Sequence, residues 1–379
     1  MPSLRTSFRP TRADIDLGAL GHNFRVTREM IGPDVRIMAV VKADAYGHGA
    51  LECAARLENG GVDWFGVAIP EEGVALRKAG ITRQILCMGS IWPGQEQLIT
   101  DHHLTPVVFA ERTASLLNDH ARSIGRSLDV HVKIDTGMGR VGIRYDAVDP
   151  FLEVLGALAS IRVAGIMTHF ASAESANENE FTALQVGRFN DVVDRFRANG
   201  HSPEWLDLAN SPGAIAHPES RGNMVRLGGA LYGILDDILP EASIHPGLKP
   251  VMSLRSKIAN IKTVPAGETL GYGRTFETTA KSQIALVPVG YADGYPRGLS
   301  NRGRACIRGQ NAPVVGRISM DWTLFDVTNI DEVSIDDEVT LIGCDGSTRI
   351  TAADLASELD TIGYEITCGI GPRVRRVFI

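Results

Sequence analysis

The chain has 379 residues, 44% of them hydrophobic and 22% charged, which supplies material for folded cores and excludes a disordered, collagen-like or coiled-coil polymer. Its length passes the size at which a single core stops growing, so two domains are expected. A formal net charge of −7 is wrong for neutralising a phosphate backbone, so no nucleic-acid partner is expected.

The first stretch, MPSLRTSFRPTRADIDLGALGHNF, carries arginines but no apolar secretion segment, and no window reaches roughly 18 uninterrupted apolar residues. A cytoplasmic protein without a membrane partner is the expectation. From residue 36 to 230, eight short apolar runs alternate with longer segments of helical spacing: IMAVV (37–41), WFGVA (64–68), QILCM (84–88), LTPVVF (104–109), DVHVKI (129–134), IRVAGIM (161–167), EWLDLA (204–209) and MVRLG (224–228). Helices are predicted over Pro70 to Lys78, Glu111 to Ile124 and Phe181 to Ala198, the last stopped by Asn199-Gly200. Eight such units predict an α/β fold, a (β/α)8 TIM-like barrel rather than an open doubly wound sheet.

Beyond residue 240 the texture changes to β-branched runs cut by Gly, Pro and Asp: QIALVPV, RACIRG, APVVGRI, TLFDVT and DEVTLIG. They predict a mostly-β C-terminal domain. With the boundary at the SIHPGLKP turn, the domains are 1–242 and 243–379. Five widely spaced cysteines, Cys53, Cys87, Cys306, Cys344 and Cys368, read as reduced thiols rather than a disulfide framework or a zinc site.

In MAVVKADAYGHG an apolar strand ends in Lys42. Lysine is seldom buried without a partner or a task, and strand C-termini form the face on which barrels build active sites. A lysine there is suited to a Schiff base with an aldehyde cofactor. By itself, the motif is equally a lysine turning into solvent. Other strand ends carry residues suited to an anion: Asp135 to Arg140, Thr168-His169, Asn210-Ser211, and Arg226 with Gly228 and Gly229. Barrels often bind phosphate with the loops after strands seven and eight, where Ser211, Gly228 and Gly229 fall. GMGRVG at 137–142 matches a dinucleotide-binding fingerprint, but it lies in the fifth unit and continues as extended chain, so no such site is expected. The ten histidines lack ligand spacing and no metal is expected. In LGYGRTF, Tyr272 stands between two glycines, and by itself it reads as a surface tyrosine in a turn.

Taken together these segments resemble the alanine racemase family, over essentially the whole chain. VVKADAYGHG is similar to its cofactor-lysine motif, which implies pyridoxal phosphate in Schiff-base linkage to Lys42 and Tyr46 near the phosphate. KIDTGMGRVG implies that Arg140 meets the cofactor's phenolic oxygen or the substrate carboxylate. THF, ANS and VRLG imply His169 near the ring, Ser211 at the phosphate, Arg226 at the pyridine nitrogen, and phosphate amides at Gly228 and Gly229. GYGRTF implies Tyr272 as a second base, VGYADGYPR sets Tyr291 at the substrate passage, RISMDW brings Met320 and Asp321 to the substrate carboxylate, and IGYEI puts Tyr364 beside the phosphate. Ser319 departs from the cysteine many members carry, and Lys133 matches a lysine that some relatives carbamylate.

The resemblance thus implies racemisation of L- and D-alanine by Lys42 and Tyr272 on opposite faces of the substrate. Removing a proton from one face of Cα and returning one to the other calls for two bases. It further implies a homodimer with shared sites, the C-terminal domain lending Tyr272 to the partner, and a role in D-alanine supply for peptidoglycan or in its breakdown. An arginine at the pyridine nitrogen stays protonated and leaves that nitrogen unprotonated, which makes the ring a weaker electron sink than it is where a carboxylate meets that nitrogen, as in the related basic amino-acid decarboxylases. A non-catalytic single-barrel cofactor binder would lack residues 241–379.

Overall fold

All eight apolar runs become parallel strands, and the sheet they form closes on itself. The structure is a computed structural model and describes residues 8–234, 238 and 247–379; the boundary expected at 242/243 lies outside the described residues. In chain order the strands begin with β1 (Arg12–Ile15), β2 (Arg36–Val40), β3 (Trp64–Val67), β4 (Gln84–Cys87), β5 (Thr105–Val108) and β6 (Leu128–Asp135). A two-residue strand, β7 (Ile143–Arg144), lies beside the end of β6, and β8 (Ile161–Met167), β9 (Trp205–Asp207) and β10 (Met224–Leu227) follow. Each of β2 to β6 pairs with the next, β6 pairs with β8, β8 with β9, β9 with β10, and β10 returns to β2, all in parallel. This is a closed eight-stranded barrel with helices between the strands. The predicted helices form as Pro70–Lys78, Glu111–Ser123 and Asn179–Ala198.

Among the described residues the chain forms two compact units. One is Leu20–Ala45 with Ala50–Leu248; the other is residues 8–19 with Tyr46–Gly49 and Lys249–Ile379. Residues 8–19, which the sequence reading assigned to the barrel domain, therefore belong to the β unit. The reason is pairing: β1 runs antiparallel to β11 (Met252–Lys257) and parallel to β21 (Arg375–Phe378), burying Ala13 and Ile15. A strand left with open edges would expose its ladder groups.

The rest of the β unit follows the predicted runs in part. Four of those runs appear as β15 (Ser282–Val287), β16 (Arg304–Ile307), β18 (Thr323–Asp326) and β19 (Glu338–Asp345), and APVVGRI gives only its first two residues to β17 (Gln310–Pro313); β12 (Asn260–Val264), β13 (Thr269–Leu270), β14 (Phe276–Glu277) and β20 (Thr348–Ile350) are additional strands that no run announced. The main sheet has the order β17-β16-β19-β11-β1-β21, β20 joins β19, and β12-β15-β18 form a second sheet.

What the barrel encloses matters most for function. Met38, Trp64, Leu86, Val107, Met167 and Met224 form a buried cluster, with Met88, Phe109 and Trp205 packed against it. Side chains of a strand alternate between faces, so the next inward position is two residues on. From Met224 that is Arg226, from Trp205 it is Asp207, and from His131, whose ring lies 5.6 Å from that of Trp64, it is Lys133. The interior thus changes from apolar to ionic within one layer.

His131 is fully buried with neither ring nitrogen hydrogen-bonded among the described residues, and burial pushes its pKa down to about 3. The unfolded chain therefore binds a proton that the folded chain excludes, so stability falls as pH drops below about 6.5. His131→Leu should keep or raise stability at neutral pH and remove roughly one proton from the pH dependence of unfolding between about 6.5 and 4. Urea titrations at several pH values check this; an unchanged slope refutes it.

Candidate active site

Arg226 is 3% exposed and Asp207 is fully buried, so each requires polar partners within the barrel. Arg226 Nη1 donates to the Asp207 carboxylate and to Asp207 O at 3.1 Å. Its Nη2 reaches Thr168 O at 2.8 Å, His169 Nδ1 at 3.0 Å and Leu208 O at 3.1 Å. These bonds use Nη1 and Nη2 alone, which leaves Nε–H without an acceptor among the described residues. Because His169 Nδ1 accepts, the ring carries its proton on Nε2. Burial, then the Arg226 charge, hold the His169 pKa well below the usual imidazole range, so the ring is neutral. Lys133 is lowered well below an ordinary lysine by burial, then by Arg226.

The loop after β6 carries Arg140, which is exposed. The Asp135 carboxylate accepts from the Gly137 and Gly139 amides at 2.9 and 3.1 Å, and Gly142 adopts φ 132° where a Cβ would sit 2.5 Å from Asp135 N. The glycines of GMGRVG serve this loop, and no helix opens there.

Behind β9 and β10 an acceptor-seeking turn forms. Asn210 caps the helix Ser211–Ala216 by accepting from Gly213 N at 3.1 Å. The buried Ser211 Oγ accepts from Gly228 N at 3.0 Å and Ala230 N at 3.3 Å. Gly229 opens the helix Gly229–Tyr232, so its N–H has no intrahelical acceptor. Amides converging on one oxygen suit an anionic ligand. Tyr232 OH donates to Val40 O at 2.9 Å and ties this turn to the end of β2.

At that end stands Lys42, and the next four residues are backbone outliers. Ala43, Asp44, Ala45 and Tyr46 have φ of 52°, 54°, 55° and 56°, one turn of left-handed helix without a glycine. Each such residue costs about 1–2 kcal/mol, so the turn must be held from outside. Ala45 N donates to Val41 O at 2.9 Å, Ala43 N to Glu72 Oε1 at 2.7 Å, and Ala50 N to Asp44 Oδ1 at 2.8 Å. Glu72 Oε2 also accepts from Ala68 N at 2.8 Å, the residue that follows β3.

In the β unit, Tyr46 and Tyr364 pack with ring centroids 5.6 Å apart. Tyr272 is 71% exposed between Gly271 and Gly273, both at positive φ. Tyr291, Met320 and Trp322 are also exposed, and their loops are joined by bonds from Tyr291 N to Ser319 O and from Ala292 N to Met320 O, both 3.1 Å. Arg373 Nη2 donates to Asp321 at 2.7 Å, and its Nε lies 3.4 Å from the buried Asp293, which also pairs with Arg9. The barrel thus gathers Lys133, Arg226 and the neutral His169 into one polar cluster, the turn of Ser211 and Gly228 forms a second group, and the β unit gathers Tyr291, Met320 and Asp321. Sequence reasoning missed Asp207, Glu72, Asp293 and Arg373; only Asp207 left a trace, as a carboxylate inside the apolar run EWLDLA. No cluster of three or more metal-ligating side chains occurs, and no helix is long and apolar enough to cross a membrane, among the described residues.

Two family models match in tandem, alanine racemase N-terminal domain over residues 15–236 and alanine racemase C-terminal domain over 251–378. An alanine racemase of Geobacter sulfurreducens is 44% identical over 374 residues, spanning 98% of this chain and 97% of that protein. The crystal structure of alanine racemase from D-cycloserine-producing Streptomyces lavendulae superposes with TM-score 0.91 at 35% identity, covering 98% of this chain and 97% of that one. Alanine racemase from Bartonella henselae, described with covalently bound pyridoxal phosphate, superposes with TM-score 0.88 at 27% identity over 98% of this chain and 99% of its own.

Glu72 accepts from amides just beyond the ends of two neighbouring barrel strands, β2 and β3, and its loss should release the strained turn. Glu72→Ala is expected to cost about 2 kcal/mol and to speed hydrogen exchange at the Ala43 and Ala45 amides at least tenfold more than at the strand amides of β6. Uniform or unchanged exchange refutes that role.

Proposed function

The chain belongs to the alanine racemase family and is an isomerase, and from that premise we propose a two-base racemisation of alanine that depends on pyridoxal phosphate. The observation that carries the cofactor reading is the buried guanidinium of Arg226, held by five bonds with Nε–H left over. That donor set fits a ring nitrogen that has only a lone pair to offer. The amides around Ser211, with Gly228 and Gly229, fit a phosphate, and Tyr46 and Tyr364 would supply hydroxyls to it. Lys42 would hold the aldehyde carbon. When bound, pyridoxal phosphate joins the substrate amine and withdraws electrons from it, which acidifies the α-hydrogen.

The chain's own residues then divide the work. Lys42 Nζ and the Tyr272 hydroxyl stand as proton carriers on opposite faces of the substrate. One takes the Cα proton while the other gives its own, so no proton is consumed and the pair finishes with its protonation exchanged. Reversal of direction reverses the roles. A phenol serves as base only where cations or hydrogen bonds support its anion. His169, kept neutral, adds no second positive charge beside Arg226. Arg140 is the exposed cation available to the substrate carboxylate. Met320 and Asp321 would flank the same carboxylate, and the ion pair from Arg373 offsets the repulsion that a bare Asp321 would exert.

Exposure supports a shared site. Tyr272, Tyr291, Met320 and Trp322 are large side chains left open on one unit, and clustered exposed apolar groups mark association surfaces. We infer that a second copy of the chain covers them and that each copy lends Tyr272 to the other, so the barrel domain binds the cofactor and the β-rich domain completes the partner's site. The product supplies D-alanine for peptidoglycan, or the reverse reaction feeds its breakdown, in the cytoplasm.

Polarimetry of the cofactor-loaded protein should take L-alanine to zero rotation, and Lys42→Ala should abolish the decay. Faster decay with L-serine or L-lysine would reassign the substrate, and no decay with any of them would refute the reading. Mixing inactive Lys42→Ala with inactive Tyr272→Phe subunits should recover about a quarter of wild-type activity, since half the dimers are mixed and each mixed dimer has one intact site. Absence of recovery in verified mixed dimers would refute the shared site.

A further inference from the structure

Arg226 does not require a carboxylate for its hydrogen bonds. Three of its five acceptors are main-chain oxygens, of Thr168, Leu208 and Asp207, and a fourth is the neutral His169 ring. Such dipoles satisfy a guanidinium and leave its charge in place. The fifth acceptor is the side chain of Asp207, which brings a full negative charge to a position with no exposure to water. Burying a carboxylate is costly unless a cation meets it, and its second oxygen, Oδ2, receives no hydrogen bond among the described residues. A side chain whose only service was to fill hydrogen-bonding sites would not leave one of its own empty.

The surroundings give the charge a purpose. Lys133 from β6, Arg140 from the following loop, Lys42 beyond β2 and Arg226 from β10 all act electrostatically on this mouth of the barrel, with His169 neutral among them. Against them stand Asp207, fully buried, and Asp135, half-buried. Burial holds the Asp207 carboxyl above the usual carboxylate range although Arg226 and Lys133 pull it back; the guanidinium in direct contact does not lose its proton, and its charge favours the carboxylate as the anion. Adjacent strands fix the pair: Met224 of β10 lies opposite Asp207 of β9, and Arg226 is two residues further along.

We propose that Asp207 is a positioning residue for the racemisation, pinning Arg226 with Nε–H directed at the cofactor ring and cancelling the guanidinium charge there. The ring nitrogen then meets a hydrogen-bond donor whose field is that of a neutral pair. Loss of the carboxylate would expose the cofactor to an uncompensated cation, which disfavours a second positive charge on the nitrogen that links Lys42 to the cofactor. The proposal rests on the reading that Arg226 meets that ring, and its test separates the two.

The measurement is the absorbance-monitored pKa of the cofactor bound to the holoenzyme, with kcat and KM for L-alanine alongside. Asp207→Asn keeps shape and removes charge, so the spectral pKa should fall by about one unit, and kcat should fall about tenfold with KM little changed. Asp207→Glu keeps the charge but adds a methylene to a full site, and it should restore most of the spectral pKa even where it costs stability. If packing alone mattered, Asn would behave as wild type and Glu would be the worse variant, which overturns the proposal. Arg226→Lys serves as the reference. A shift with Arg226→Lys but none with Asp207→Asn overturns the role of Asp207 alone, and no shift with either overturns the assignment of Arg226 to the ring as well. Should Asp207→Asn fail to fold, the carbon-13 carboxyl shift of Asp207 in the wild-type protein decides: ionised between about pH 5 and 9 supports the proposal, and a protonated carboxyl refutes it.

Discussion

A closed parallel barrel admits an inward side chain only at every second residue, and the chemistry of this chain follows from what stands at the last inward position of each strand. Below that position the interior is methionine, tryptophan and aliphatic packing; at it stand Lys133, Asp207 and Arg226. Charges so placed cannot be solvated, and an unpaired one would cost several kcal/mol. They are retained as a set in which opposite charges meet, and Arg226 engages five acceptors drawn from β9, β10's neighbour, and from the residues that follow β8 and β9, while Asp207 Oδ2 and Arg226 Nε–H stay unused among the described residues. The same low-dielectric setting strengthens whatever electrostatic work the set performs.

A second constraint is local. Four successive residues in the left-handed region, none of them glycine, amount to several kcal/mol of strain immediately after Lys42. Such a turn persists only where its surroundings over-determine it, and the Glu72 carboxylate, Val41 O and Asp44 do so through named bonds. Just beyond it, Gly47 must be glycine for a different reason: at φ 84° a Cβ would lie 2.1 Å from Thr367 O. Strain and close approach thus follow directly on the residue proposed to carry the cofactor, and a rigid, prepaid geometry is what proton transfer at a fixed carbon requires.

Periodicity made the architecture legible. Eight apolar runs separated by helical segments became the eight barrel strands, and Pro70 to Lys78 formed over the predicted bounds, because burial on both faces and amphipathic helices leave a pattern within a few residues. The placement of residues 8–19 was not legible. The four residues RADI of β1 are too few to declare a partner, and their partners, β11 and β21, lie more than 230 residues away in sequence. Candidate site residues divide the same way. Lys42 and Arg226 stand out as charges in apolar runs, whereas Tyr272, Tyr291 and Met320 have no hydropathy signature and were given a role only through resemblance to a family. Glu72 and Arg373 act on loops distant in sequence, so nothing near them in the chain announces their roles.

The exposure of Tyr272 connects these threads. Inward residues of a barrel rim all issue from strands that end in the same direction, so a rim readily supplies groups to one face of a bound substrate. A reaction that must deliver a proton to the opposite face needs a group that the rim of the same barrel is poorly placed to offer. On the two-base reading, that group is a tyrosine carried on a loop between two glycines at positive φ, which leave it free of bulky neighbours in sequence. For the isolated chain a 71% exposed tyrosine, on the unit that also exposes Met320 and Tyr291, is a liability. On that reading it ceases to be one when a second copy of the chain covers it, and the stereochemical demand of racemisation then becomes a reason for the proposed dimer.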